Sequence, residues 1–424
     1  MNLVKTSFLN GFAVVVRISC SLVINKILAV YIGPAGYAVV GQFQNVVSII
    51  SNLAGSLLAS GVTKITAQHF EDVTKQHAVW RTAVRYSLGA SLVAGTNLLL
   101  FEDMLSEWLL PRSDTSSVFV WLALSLPALT LNNLLLAAIN GKKEIGIYVI
   151  SNIAGSLLGL LITGVLVSNY GLYGALVAFS INPAVVLLAT GWLVHRCVWF
   201  KTHFFWGLMD KSAIKELTGF GLMGVVSALS GPTVFILIRD YLTGNFGLAE
   251  AGYWQATTKI SDTYLMLVVT TLSVYYLPRL GEIKKAYELR AEIIKVYKFI
   301  MPIVAFGAAG IYMFRDFIIH MLFTPEFLAM RNLMPWQLLG DTIKIGAWIL
   351  SFVLAGRSMI KPFIITEVFF SALYFFLVLM FTHYWGLKGV VMAYTVNYSL
   401  YWLCMGYLIY NELHKMQRAE RFNE

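Results

Sequence analysis

Apolar stretches of about 18 to 25 residues recur along the whole chain, each long enough to cross a hydrocarbon layer of about 30 Å. A soluble protein of 424 residues would give most of its helices a polar face, and these segments have almost none. Charged residues make up 12% of the chain, against roughly 25% in an average soluble domain. The sequence is that of a polytopic helical membrane protein.

Apolar runs between charge and turn clusters predict twelve helices, at 8–31, 38–63, 79–101, 117–139, 145–168, 172–195, 215–239, 250–276, 292–314, 333–355, 362–383 and 387–411. The N-terminal stretch has the look of a signal peptide, but Arg17 interrupts it and no small-x-small cleavage site follows, so a retained first helix is expected. Between the sixth and seventh helices, "VWFKTHFFWGLMDKSA" is short and aromatic with flanking lysines, which suits a helix lying in the interface. With the N-terminus cytoplasmic, twenty-one lysines and arginines fall on the inner side. Five, Arg112, Arg239, Arg315, Arg331 and Lys388, fall on the outer side. This asymmetry puts both termini in the cytoplasm and uses up the net charge of +9 without a nucleic-acid partner.

The chain repeats itself. "NYGLYGALVAF" (Asn169–Phe179) returns as "YWGLKGVVMAY" (Tyr384–Tyr394), and "NGKKEIGIYVISN" (Asn140–Asn152) as "AGRSMIKPFIITE" (Ala355–Glu367), both at one offset in the numbering. "GPAGY" (Gly33–Tyr37) returns as "GLAEAGY" (Gly247–Tyr253) with two residues inserted. Ordered pairs in one register indicate duplication of a six-helix unit. Six is even, so the copies share one topology, related by an axis along the membrane normal. The expected fold is all-α, twelve transmembrane helices in two parallel six-helix bundles around a central cavity, the common arrangement of alternating-access carriers. The first bundle is expected over 1–199, the interfacial amphipathic linker over 200–214 and the second bundle over 215–424.

Ionisable residues inside spans cost roughly 2.5–3.5 kcal/mol each on insertion scales, so each is a candidate for function. They are Arg17 and Lys26 in helix one, Arg85 in helix three, Lys259 and Asp262 in helix eight, Asp341 and Lys344 in helix ten, and Glu367 in helix eleven. In helices eight and ten the opposite charges stand three residues apart, on one face. They either neutralise one another to make the helix insertable, or present a polar face to a cavity, with Asp262 and Asp341 as sites of ion coupling. Arg17 lies near mid-membrane and is the better cavity candidate of helix one, whereas Lys26 has a snorkelling alternative. Arg85 reads equally well as reaching back to the cytoplasm. For Glu367 the favoured reading is a partner for the loop charges Arg357 and Lys361. The excess of bases suits phosphate or carboxylate rather than a lipophilic cation.

A "WQ" pair opens helix eight (Trp254, Gln255) and helix ten (Trp336, Gln337). Tryptophan of the interfacial belt is the commoner reason for such a pair, and a stacked sugar hydrogen-bonded to the amide is the alternative. No HExxH and no GxxxxGK[ST] occurs, so neither a zinc hydrolase nor direct ATP use has support. Three isolated cysteines, Cys20, Cys197 and Cys404, support neither disulfides nor a metal site. A secondary transporter without cofactor is expected, not an enzyme, and the longest outer loop is too short for a glycan polymerase.

"NKILAVYIGPAG" (Asn25–Gly36), "YWQATTKISDTYL" (Tyr253–Leu265), "SVYYLPRL" (Ser273–Leu280) and "WQLLGDTIKIGAW" (Trp336–Trp348) resemble the Wzx-type lipid-linked oligosaccharide flippases. These belong to the multidrug/oligosaccharidyl-lipid/polysaccharide exporter superfamily, and the likeness is greatest to the branch serving enterobacterial common antigen. The resemblance implies a bacterial inner-membrane flippase for an undecaprenyl-pyrophosphate-linked oligosaccharide, an O-antigen or common-antigen unit. It further implies a basic cavity that includes Arg17, Lys26, Lys259, Asp262, Asp341 and Lys344, with coupling to protons, sodium or membrane potential. As partners it implies the lipid bilayer, a polysaccharide polymerase and a chain-length regulator, with the protein itself a monomer. Lys259, in "TTKISD", stands where the resemblance leads one to expect a small polar residue. A drug or small-metabolite antiporter of the same superfamily is the alternative function.

Overall fold

The computed structural model describes residues 3–56, 58–110, 116–207, 210 and 221–423. These are helical, with no strand among the described residues. The α-helices are α1 (Leu3–Ser51), α2 (Leu58–Gln68), α3 (Val73–Leu100), α4 (Glu102–Leu109), α5 (Ser117–Gly141), α6 (Ile145–Val194), α7 (Gly221–Asn245), α8 (Leu248–Thr271), α9 (Leu277–Glu282), α10 (Ala286–Met313), α11 (Arg315–Leu322), α12 (Met334–Gly356), α13 (Ile360–Trp385) and α14 (Lys388–Asn423). Seven helices among the described residues are long and apolar enough to cross a membrane, or eight if α3 and α4, bent by 76°, form one span. The protein is a multi-pass membrane protein.

Two of those seven are too long for a single crossing. The 50 residues of α6 would reach about 75 Å at 1.5 Å per residue. Gly171 breaks α6 with φ 54° and ψ −129°, and Gly33 breaks α1 with φ 61° and ψ −173°. Each therefore supplies two helices joined by a reversal, which makes the helix order compatible with the twelve expected crossings. Across the first reversal, Tyr37 donates to Asn25 Oδ1 at 3.1 Å.

The contacts divide the chain into two units, Met1–Ile236 and Leu237–Glu424, with the division inside α7. The same irregularities recur in both. Gly386, the counterpart of Gly171 in the repeat, ends α13 with φ 58° and ψ −147°. A Cβ on Gly174 would lie 1.9 Å from the Leu166 carbonyl oxygen, and one on its counterpart Gly389 would lie 2.4 Å from that of Phe381. The turn thus folds back so closely on the preceding helix that only glycine fits, in both copies. Lys143 and Ser358, which the repeat also aligns, both take positive φ, 60° and 56°. A π-helical stretch follows α1 and α8 at corresponding places in the repeat, Asn52–Ser56 and Leu272–Tyr276. The short helices α4 and α11 each follow a single residue of non-helical backbone, Phe101 and Phe314.

Three expectations need correction. The short helices α4 and α11 stand where outer loops were expected, because Glu102 and Asp103, and Arg315 and Asp316, end the preceding apolar runs. The last helix reaches Asn423 rather than 411, because "NELHKMQRAERF" is polar but made of good helix formers. The expected interfacial linker is, in its described part, one 3₁₀ turn, Thr202–Phe205; residues 208–209 and 211–214 lie outside the described residues. Its rings pack on the protein: Phe204 stacks on His77 at 4.0 Å and Phe205 on Trp80 at 5.0 Å.

Candidate functional site

A dense polar cluster inside a span belongs to unit 2 and centres on α12. Two glycines of that helix admit α14: a Cβ on Gly340 would lie 2.5 Å from the Tyr394 ring, and one on Gly346 3.0 Å from the Trp402 ring. Close approach brings the α14 tyrosines onto the charges of α12. Asp341 has no exposed surface. Its Oδ2 accepts from Tyr264 of α8 at 2.8 Å, and its Oδ1 accepts from Tyr394 at 2.9 Å and Gln337 at 3.1 Å. Three donors from three helices replace the water that a buried carboxylate loses.

One turn on, Lys344 is 9% exposed. Its ammonium lies 4.6 Å from the Trp348 ring centre, 5.3 Å from Tyr398 and 5.5 Å from Tyr394. Aromatic faces hold a cation without neutralising it. Lys344 and Trp348 line a cavity of 320 Å³ with Asp262, Leu265, Met266, Val269, Thr270 and Ser273. That is the small end of ligand pockets, roughly 300–1,000 Å³, and suits a head-group fragment rather than a whole oligosaccharide.

The self-neutralising pairs allowed by the spacing do not form. Among the described ion pairs, none joins Lys259 to Asp262 or Asp341 to Lys344. Lys259 is half-buried and absent from the cavity lining, while Asp262 is exposed and faces the cavity with Lys344. Glu367 does not partner the loop charges: Arg357 pairs with Glu412 at 3.8 Å and donates to the Ile283 carbonyl. The charge that bears on half-buried Glu367 is Lys344. Both amides of the "WQ" pairs are engaged inside the protein, Gln337 by Asp341 and Gln255 by the guanidinium of Arg239. Trp254 is 1% exposed beneath that guanidinium, so it offers no open face to a sugar. Arg239 itself corrects the charge map: placed outside as a loop residue, it is 3% exposed and inside α7. In unit 1, Arg17 and Arg85 are exposed on α1 and α3, and Lys26 is half-buried beside Asn25.

The internal repeat offers a comparison for this cluster. In the register of the repeat, Gln337, Asp341 and Lys344 correspond to Leu122, Leu126 and Leu129 of α5. These are buried at 0%, 0% and 6% exposure. Tyr394 likewise corresponds to Phe179. The first copy of the repeat thus places buried leucines of α5 where the second copy has the amide and charges of α12.

Residues 13–332 match the sequence profile of a family described as polysaccharide biosynthesis protein. The chain belongs to this family. It is 30% identical over 411 residues to the lipid III flippases of Escherichia coli (strain K12) and Shigella flexneri, covering 96% of this chain and 98% of theirs. An inward-facing multidrug resistance MATE family transporter of the MOP superfamily matches with a TM-score of 0.79 at 15% identity, over 96% of this chain and 99% of that one. A MOP superfamily transporter from Pyrococcus furiosus, described as having a binding pocket of reverse polarity, matches with a TM-score of 0.68 at 15% identity over 96% of each chain. At such identities the likeness is one of fold alone; that the chain is a transporter rests on its identity to the flippases over nearly its whole length.

In this polysaccharide biosynthesis protein, sequence reasoning found both charges of α12 but missed the residues that hold them. Tyr394, Tyr398 and Tyr401 form a stripe at helical spacing, a signal open to reading. Nothing in the sequence pairs that stripe with Asp341, which stands on a different helix. Tyr264 and the buried Arg239 had no local signal.

Proposed function

We propose that the protein moves an undecaprenyl-pyrophosphate-linked oligosaccharide, an O-antigen or common-antigen unit, from the cytoplasmic to the periplasmic leaflet by alternating access. The protein lies in the bacterial inner membrane with both termini cytoplasmic. The observation that carries this reading is Lys344, a cation caged by rings in a cavity where the other copy of the fold has leucine. The 30% identity to lipid III flippases supports the cargo class. Lys344 receives a phosphate of the head group, and the ring faces of Trp348 and Tyr398 exclude water from it. Arg17, Lys26 and Lys259 are further proposed basic contacts, and Arg85 a weaker one.

Of the two carboxylates proposed for ion coupling, Asp262 has the better placement. It shares the cavity with Lys344, and an ion taken up by its carboxylate from the outer side and released to the cytoplasm on the return step would couple ion entry to cargo export. Asp341 is closed off by its three donors and positions α8, α12 and α14. Membrane potential is the competing energy source, worth about 2.3 kcal/mol per charge per 100 mV.

Complementation of a strain lacking its lipid III flippase tests the reading. Wild-type protein restores surface polymer, Lys344→Arg retains part of it and Lys344→Gln lets lipid-linked sugar accumulate. Full polymer with Lys344→Gln refutes the role of Lys344. Drug resistance without polymer from the wild-type protein points instead to the antiporter.

A further inference from the structure

A second basic cluster lies in unit 1, at the end of α3 where the linker packs. The charges that bear on His77 are those of Arg81, Lys142 and His203. They come from α3, the α5–α6 turn and the linker. Lys142 lies 5.6 Å from the Phe70 ring centre and 5.9 Å from Trp80, and Lys143 lies 5.1 Å from Phe70. Lys201 approaches Phe204 at 6.0 Å. None of Arg81, Lys142, Lys143 and Lys201 takes part in an ion pair among the described residues. Acids nearby include Glu144, which bears on Lys142, Asp210, whose backbone N–H donates to Thr82 Oγ1 at 3.0 Å, and exposed Glu71 and Asp72 next to Phe70, of which Asp72 caps α3.

Two features mark the cluster as built to hold something. Arg81 Nε is buried without a hydrogen-bond acceptor. The linker backbone also presses on that side chain, since a Cβ on Gly207 would meet Arg81 Cδ at 2.7 Å. Burial pushes the Lys142 ammonium below its usual range, with Glu144 opposing the shift. Bringing like charges together at a cost in hydration makes sense when an anion completes the site.

The surroundings say which anion. Val198 is 96% exposed, Trp192 58%, Trp206 57% and Phe70 44%. Arg196 stands 4.4 Å over Trp192. Exposed rings beside lysine and arginine are the composition of a membrane–water interface facing anionic lipid. A soluble phosphate would have no use for the apolar rim.

We propose that Arg81, His77, Lys142 and His203 form a docking site for the phosphate head group of an anionic bilayer lipid, which clamps the linker onto α3. Phe204 and Phe205 already stack on His77 and Trp80, so a head group between Arg81 and Lys142 would close the same contact from the open side. The arginine donates to the phosphate oxygens in pairs and Lys142 supplies a point charge. The proposal rests on the membrane reading and is independent of the cargo.

The test is the thermal stability of the purified full-length protein in detergent, with phosphatidylglycerol, phosphatidylethanolamine or inorganic pyrophosphate added in turn. Phosphatidylglycerol is expected to raise Tm by several degrees more than either other addition. In Arg81→Gln/Lys142→Gln that increment should fall to less than half, and Arg81→Lys/Lys142→Arg should keep most of it. An undiminished increment in the glutamine variant, or an equal one from pyrophosphate, overturns the proposal. Where the glutamine variant does not purify, amine acetylation of Lys142 in wild-type protein decides. Protection of at least threefold by phosphatidylglycerol is expected, and no protection overturns the site.

Discussion

The two copies of the fold allow the charges of α12 to be removed without guessing at a replacement. Gln337→Leu, Asp341→Leu and Lys344→Leu reproduce Leu122, Leu126 and Leu129 of the first copy, and Tyr394→Phe reproduces Phe179. Tyr264→Phe removes the remaining hydroxyl that bonds Asp341. Asp341→Leu alone leaves the Tyr264 and Tyr394 hydroxyls without their acceptor, at about 1–3 kcal/mol each. It also strips Lys344 of a nearby anion. A buried polar network broken from one side loses about 3–5 kcal/mol, whereas full apolar replacement is neutral or stabilising by about 1–4 kcal/mol. The five-fold variant should therefore be more stable than Asp341→Leu by at least about 3 kcal/mol. Denaturant titration in detergent, followed by intrinsic tryptophan fluorescence, measures the difference. Complementation of the flippase-deficient strain should give no polymer with the five-fold variant, although it inserts and folds. Equal fragility of the two variants would show that the charges hold the fold, and restored polymer would show that transport does not use them.

Two further outcomes follow from the same geometry. Gly174→Ala and Gly389→Ala should each prevent recovery of monodisperse protein, because their new Cβ atoms fall on backbone at 1.9 and 2.4 Å. Gly191→Ala, with nothing within 4 Å, should behave as wild type in the same size-exclusion profile. Asp262→Asn should abolish any dependence of transport on a proton or sodium gradient in vesicles while leaving cargo binding intact. A gradient dependence that survives this change would remove Asp262 from coupling.

Membrane insertion, helical class, the internal repeat and the charged positions were all legible in the sequence, because each rests on local chemistry. A run of apolar residues has no alternative to burial in lipid, and a glycine repeated in the register of the duplication marks a reversal wherever the chain goes. The Gly171 and Gly386 turns stand where the repeat placed them. Charge pairing was not legible. Residues three apart on one helix face, such as Asp341 and Lys344, can meet one another or turn to neighbouring helices, and spacing alone does not choose. Arg239 was misplaced because a residue near a helix end looks alike whether it points to water or to Gln255.

What the sequence alone determined was that the chain is a helical, multi-pass membrane protein whose pattern repeats, since hydropathy and repetition need no partner. The tertiary structure decided what each polar group does there. It set Asp341 among three donors, surrounded Lys344 with aromatic rings, and used both "WQ" amides internally. The physical reason is that a charge in low dielectric takes its state from the nearest donors and rings. Those neighbours, Tyr264, Tyr394 and Tyr398, come from other helices and meet α12 only through packing.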